Sequence, residues 1–236
     1  MKRIIALVLA LFTAGSLFAL ETDLEFGCTF GGGSRETELE GYISKDKEKI
    51  TTSISGVYLA TDIELNEYFG IFCDLSIMRS FNTNIESTTG ITGSYNWADP
   101  NYEITSFGSF LFGTDIIMQI GDSIKIKLGG GFDCALANSK ANGIYVDPLN
   151  LLTNGTIVWN YSDWTRQSVL LGLGSKIKAN YYLDRFGFNA GFVFDWYFIS
   201  LGETKSKELF TATSTGSILL ESTFIVRPEI GITFRF

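Results

Sequence analysis

From Phe186 the chain alternates: Phe186, Phe188, Ala190, Phe192, Phe194, Trp196 and Phe198 carry apolar side chains at every second position, with Gly187, Asn189, Gly191, Val193, Asp195 and Tyr197 between them. A period of two predicts a strand with one oily face and one mixed face. The final segment repeats this over a longer span, with Ile218, Leu220, Phe224, Val226, Ile230, Ile232, Phe234 and Phe236 in phase and Glu221, Arg227, Glu229, Thr233 and Arg235 on the other face. Pro228 interrupts that series; it has no N–H to give a ladder, so a bulge or local break is expected there. Six further segments show the same alternation. Their apolar faces are Leu24 to Phe30, Val57 to Leu65, Phe69 to Ile77, Phe110 to Ile120, Ile124 to Leu136 and Val169 to Tyr181. The pattern therefore predicts eight strands.

The connections alternate as well. Asn66 with Glu67, Gly121 to Ser123, and Leu183 to Arg185 read as tight turns, whereas 34–49, 82–103, 138–166 and 201–216 read as long loops. Within the third, Thr156 to Tyr161 alternates again, so strands running on above a membrane, or one more hairpin, are both open. Short turns at one end and long loops at the other fit an outer-membrane barrel, and segments of about ten residues fit a tilted crossing. Lipid tolerates no unpaired sheet edge, so the sheet must close. The expected fold class is all-β: an eight-stranded antiparallel transmembrane β-barrel, with both termini on the periplasmic side. A soluble barrel or sandwich is the competing reading. It is disfavoured because the apolar faces are nearly free of charge over ten or more residues.

Composition sharpens this. The 236 residues are 45% hydrophobic and 19% charged, with a mean hydropathy of +0.18. No run in the body of the chain approaches the ~18 apolar residues of a membrane-spanning helix. Lys2 and Arg3, an apolar stretch from Ile4 to Phe12 and small residues ending at Ala19 read as a signal peptide over 1–19, leaving a barrel domain over 20–236 and export to the cell outer membrane. Losing Lys2 and Arg3 makes the formal charge of −8 more acidic still, which argues against a nucleic-acid partner. Cys28, Cys73 and Cys134 each fall on an apolar phase, where a thiol behaves as a small hydrophobe.

The ending Gly231-Ile232-Thr233-Phe234-Arg235-Phe236 resembles the terminal strand that the barrel-assembly machinery recognises, with Phe236 as the signal residue. With the leader and eight strands, the chain resembles the small outer-membrane barrels of the OmpW, OmpX and opacity-protein kind. The Phe-Arg-Phe ending and a proline in the last strand are similar to the OmpW branch. The resemblance implies a barrel embedded in outer-membrane lipid.

Chemistry is constrained by an absence in the sequence: there is no histidine. Enzymes among outer-membrane barrels, as families, pair histidine with serine or aspartate, so no catalytic residues, metal or cofactor are expected. The runs Gly31 to Gly33 and Gly129 to Gly131 lack the Lys-Ser/Thr of a phosphate loop and read as structural. The inward phase offers Glu25, Asp74, Asp115, Asp133, Asp195, Glu221 and Glu229 against Lys125, Lys127, Lys176, Lys178, Arg227 and Arg235. Either they pair and plug the lumen, or they line a narrow permeation path or ligand pocket for small molecules, hydrophobic ones among them. The loops add a charge-dense first segment and aromatic residues at Tyr95, Trp97, Tyr102, Tyr145, Trp159, Tyr161 and Trp164, which suit an interfacial girdle or recognition of a host surface ligand. Permeation or binding of small molecules is the leading expectation. Adhesion, or a structural role through the loops, is the alternative.

Overall fold

The computed structural model describes residues 21–40, 45–89, 98–146, 159–208, 212–219 and 222–236, with side chains over 21–34, 51–81, 103–140, 165–202 and 223–236. The expected signal segment lies outside them. Among the described residues every regular element is a strand: β1 (Thr22–Glu40), β2 (Lys45–Glu64), β3 (Phe69–Thr89), β4 (Ala98–Ile120), β5 (Ile124–Val146), β6 (Trp159–Leu183), β7 (Phe186–Glu208), β8 (Ala212–Leu219) and β9 (Ser222–Arg235). Each of β1 to β7 pairs antiparallel with the next. β8 and β9 share the eighth place, end to end along β7, with Leu219 opposite Ser200 and Thr223 opposite Tyr197. β9 then pairs with β1 and closes the sheet into an eight-stranded barrel. At the rim, Phe236 N–H donates to the Thr22 carbonyl at 3.0 Å.

The tight turns have simple causes. Asn66 Oδ1 accepts from the backbone N–H groups of Tyr68 and Phe69, at 2.9 and 3.0 Å, which folds the β2–β3 link on itself. Gly121 takes φ +65° in the β4–β5 turn, and Asp184 takes φ 63° between β6 and β7.

The period-2 pattern maps onto an inside and an outside. The apolar phase faces out: Phe132, Leu136 and Ile230 are 51%, 58% and 59% exposed, within a wall of similar residues that no soluble monomer would leave in water. From Ile124 to Leu136 that series climbs roughly 30 Å at ~3.3 Å per residue and ~40° tilt, close to a hydrocarbon core. Cys28 is exposed on this wall, Cys134 half-buried and Cys73 buried, all three unpaired.

One expectation needs correcting, and another resolves to one of its two forms. The stretches read as long loops are mostly strand among the described residues: β6 alone runs 25 residues, and Trp159 opposite Val146 continues the existing β5–β6 pair, while Thr156 to Val158 lie outside the described residues. Above the apolar band the sequence is polar on both phases, so a ladder persists with no alternation to reveal it. At Pro228 the structure shows the expected local break and no bulge: the β1–β9 register is the same either side of it, and the rungs at Phe30 and Gly31 are missing, because the proline has no N–H to donate. A bulge appears elsewhere, between β6 and β7, where Leu171 faces Ile199 and Gly172 faces Tyr197; this passes over Phe198 and turns Ser200 inward.

Candidate functional site: the lumen and its loop-side cup

The inward phase divides into two zones. The turn-side zone is ionic. Lys125 Nζ lies 2.5 Å from Glu64 Oε2 and 3.0 Å from Glu21 Oε2. Arg235 stacks 3.6 Å over the Tyr182 ring and donates to Asp23 Oδ1 at 3.1 Å. One level up, Lys127 Nζ donates to Asp23 Oδ2 at 2.8 Å, and Lys176 Nζ meets Asp62 Oδ1 at 2.5 Å and Asp115 Oδ2 at 3.4 Å. Lys178 then gathers three carboxylates, Glu25 at 3.0 Å, Asp74 at 3.2 Å and Glu229 at 2.7 Å, under the Tyr58 ring. At the top, Arg227 Nε donates to Asp195 Oδ2 at 2.7 Å, and Tyr197 O–H donates to Asp133 Oδ2 at 2.8 Å.

Every inward charged residue named from the pattern within the described side chains faces this network, and Lys127, Lys178, Asp133, Asp195 and Arg227 have no solvent exposure. Glu221 lies outside the described residues. Asp23, Asp62 and Glu64 belong to the network too, and their inward phase on β1 and β2 was the signal that could have found them. Burying such ions is tolerable only because each cation meets an anion at contact distance. Glycine supplies the room: a Cβ on Gly129 would stand 2.7 Å from the Phe72 ring, and one on Gly174 2.6 Å from Leu111, which cluster with Val193 as inward apolar side chains beside the ion pairs.

Above Arg227 the chemistry changes. Ile54, Met78, Phe107, Leu170, Tyr197 and Ile225 meet as a buried apolar layer across the lumen, with Phe107 edge-on to Tyr197 at 6.0 Å between centroids. Sequence reasoning missed this layer; the unbroken apolar run Phe224-Ile225-Val226 was its clearest trace. On its loop side lies a small cup, open to solvent. Ile104, Phe107, Ala137, Leu170 and Ile225 form its apolar surface, while Ser34, Thr52, Ser139, Ser168 and Thr223 set hydroxyls around it. Among the described residues no lining side chain is charged.

Higher still, the charge-dense first segment is a register of opposites: Glu36, Glu38 and Glu40 on β1 stand across from Lys49, Lys47 and Lys45 on β2. Of the loop aromatics, Tyr95 and Trp97 lie outside the described residues. Tyr102 (β4), Tyr145 (β5), Trp159, Tyr161 and Trp164 (β6) occupy strand positions whose side chains are likewise outside the description; Tyr102 and Trp164 both stand opposite Ala141 of β5. Among the described residues no acidic or cysteine cluster is arranged to hold a metal ion.

No family model matches this chain, and no curated protein does. Among solved structures, the outer membrane protein OprG from Pseudomonas aeruginosa superposes with a TM-score of 0.54 over 92% of this chain and 96% of that one, at 10% identity. The fold is that of the small outer-membrane β-barrels. Two more outer-membrane barrels align less closely: the attachment invasion locus protein Ail of Yersinia pestis (TM-score 0.42, 13% identity, 92% of this chain and 99% of that) and the protease OmpT of Escherichia coli (0.41, 10%, 92% and 96%). At such identities the likeness concerns architecture, and an outer-membrane barrel takes its activity from its own side chains.

Proposed function

We propose that this chain is a non-enzymatic barrel of the outer membrane that binds a small, largely apolar molecule in its loop-side cup and does not conduct through its lumen. The observation that carries the reading is the sequence of layers: ion pairs partly open at the turn-side rim and without solvent exposure around Lys127, Lys178 and Arg227, then an apolar layer, then an open cup. An ion crossing the lumen would have to break the Lys178 and Arg227 clusters; a small hydrophobe entering from the loop side meets contact surface at once. The absence of histidine from the whole sequence supports a role without hydrolytic chemistry. Outer-membrane lipid against the apolar wall, and recognition of Phe236 by the barrel-assembly machinery during insertion, belong to the same reading; Phe236 is exposed at the rim, next to the β1–β9 closure.

The test pairs planar-bilayer recording with displacement of N-phenyl-1-naphthylamine from the purified barrel. The expected result is no discrete conductance and saturable probe binding that Leu170→Trp abolishes by filling the cup. Stepwise conductance from the wild type, or probe binding unchanged in Leu170→Trp, would refute it.

Wall height favours one second reading, surface recognition. A 25-residue strand rises roughly 60 Å at ~40° tilt, about twice the hydrocarbon thickness, so the hairpins stand well clear of the lipid. Shortening β5 and β6 above the apolar band should abolish adherence to a host ligand if that reading holds; adherence that survives the shortening counts against it.

A further inference from the structure

The loop-side edge of the apolar wall carries charge in one sector. Among the described side chains that face out there, the charged ones are Arg79 on β3, Glu103 on β4 and Lys140 on β5. Ser80, buried beside Arg79, donates to the Ile104 carbonyl at 3.1 Å and accepts from the Ile104 N–H at 2.9 Å, which pins the two strands where Arg79 and Glu103 meet across the seam. Arg79 Nε donates to Glu103 Oε1 at 3.2 Å, and Lys140 stands opposite Glu103 in register. Glu103 thus answers two cations with one charge. The Arg79 side chain is 69% exposed, and Lys140 is exposed with no ion pair among the described residues, so both can reach a group outside the wall. Beneath them is a groove: Ile77, Gly108 and Leu136 are neighbours in one outward row, Ile77 and Leu136 are exposed, and a Cβ on Gly108 would meet nothing nearer than 3.8 Å. At ~3.3 Å per residue and ~40° tilt, Arg79 lies roughly 5 Å above Ile77 and Lys140 roughly 10 Å above Leu136, within reach of the phosphate layer of a bilayer whose hydrocarbon meets the apolar wall.

We propose that this corner of the wall binds one anionic phospholipid of the loop-side leaflet, its phosphate between Arg79 and Lys140 and one acyl chain over Gly108 between Ile77 and Leu136. This rests on the reading of the wall as lipid-facing and is independent of what the cup holds. Glu103 aligns the two cations and also opposes the phosphate, so the net charge of the sector sets the preference. One positive charge is left over, which favours a headgroup with a net negative charge over a zwitterionic one by about fivefold.

Phosphatidylglycerol and phosphatidylcholine, each carrying a nitroxide on one acyl chain and each a minor component of phosphatidylcholine nanodiscs holding the full-length barrel, test it. Paramagnetic relaxation of the Ile77 and Leu136 methyls reads the site, and that of Ile230, exposed on β9 across the barrel, reads the unselected annulus. The enhancement by phosphatidylglycerol relative to phosphatidylcholine should be about fivefold at Ile77 and Leu136 and close to equal at Ile230. Arg79→Gln and Lys140→Gln should each bring the ratio at the site to about one. Glu103→Gln should raise it by about a further fivefold, a change that a purely structural ion pair would not produce. Gly108→Leu, which fills the groove, should lower the enhancement from phosphatidylglycerol at Leu136. A ratio near one in the wild type, or a fall in it with Glu103→Gln, overturns the inference and leaves the wall in lipid. Full displacement of labelled phosphatidylglycerol by inorganic phosphate would assign the cations to a soluble anion and overturn it too. If neither lipid relaxes any of the three methyls, the lipid-facing reading of the wall fails with it.

Discussion

Lys178 is the most heavily engaged cation of the lumen, and replacing it tests whether the lumen is dry. Its ammonium is fully buried, lies within 3.2 Å of carboxylate oxygens from β1, β3 and β9, and sits 4.4 Å from the centroid of the Tyr58 ring. Lys178→Met keeps the length and the apolar stem. It leaves Glu25 with Asn180 Nδ2 at 2.8 Å and Glu229 with Arg227 Nη1 at 3.3 Å, but strips Asp74 of its lysine partner. Removing one member of a buried ion pair costs about 3–5 kcal/mol, because the remaining charge stays desolvated. Against a total stability of ~5–15 kcal/mol that is a large fraction. Urea unfolding of the barrel in lipid vesicles, followed by heat-modifiable mobility and fluorescence, measures it. Adding Asp74→Asn to Lys178→Met should recover at least about 1 kcal/mol, since the stranded charge is then gone. A single variant within about 0.5 kcal/mol of wild type would mean that water already solvates these groups, and the closed-lumen argument would fall.

Neighbouring glycines should behave in opposite ways. A Cβ on Gly131 would stand 2.0 Å from the Phe112 carbonyl oxygen, whereas one on Gly130 meets nothing nearer than 3.6 Å, so Gly131→Ala should lose most of the folded band on electrophoresis and Gly130→Ala should keep it. Trp196 is 48% exposed on the apolar wall, so lipids brominated along the acyl chain should quench a component of the emission that Trp196→Phe removes; an unchanged quenching profile would contradict its placement in lipid. Raising salt from 0.1 to 1 M should leave the contribution of Arg227 and Asp195 unaltered while erasing that of the exposed Arg79–Glu103 pair, a contrast that double-mutant cycles at the two ionic strengths would measure.

Strand number, sidedness and closure were legible because the bilayer imposes a two-residue period on any strand that crosses it: Phe186 to Phe198 and Ile124 to Leu136 advertise their outer faces residue by residue. The inward charges were legible by the same phase. What the pattern concealed lay where that constraint lapses. The upper walls carry polar residues on both phases, so Glu36 to Glu40 and Lys45 to Lys49 read as a charged loop although they are register partners. The apolar layer of Ile54, Met78, Phe107 and Leu170 was hidden for the reverse reason: those positions are apolar on the inward phase as well, and the alternation that marks a face vanishes when both faces are oily. Which cation would meet which carboxylate was not legible at all, since it depends on shear between strands far apart in sequence.

That last point bears on how the molecule is made. Lys127 meets Asp23 across 104 positions of chain, Lys178 meets Glu25 across 153, and Arg235 meets Asp23 across 212. Many lumen charges therefore find partners only when strands far apart in the sequence curl round to face one another across the lumen. A partly inserted sheet would expose unmatched ions to hydrocarbon, so intermediates are penalised steeply and the finished cylinder is favoured as a whole. Interior salt bridging thus acts as a completion check, rewarding a chain that has brought its two ends together and holding open, in a hydrated or chaperoned state, one that has not.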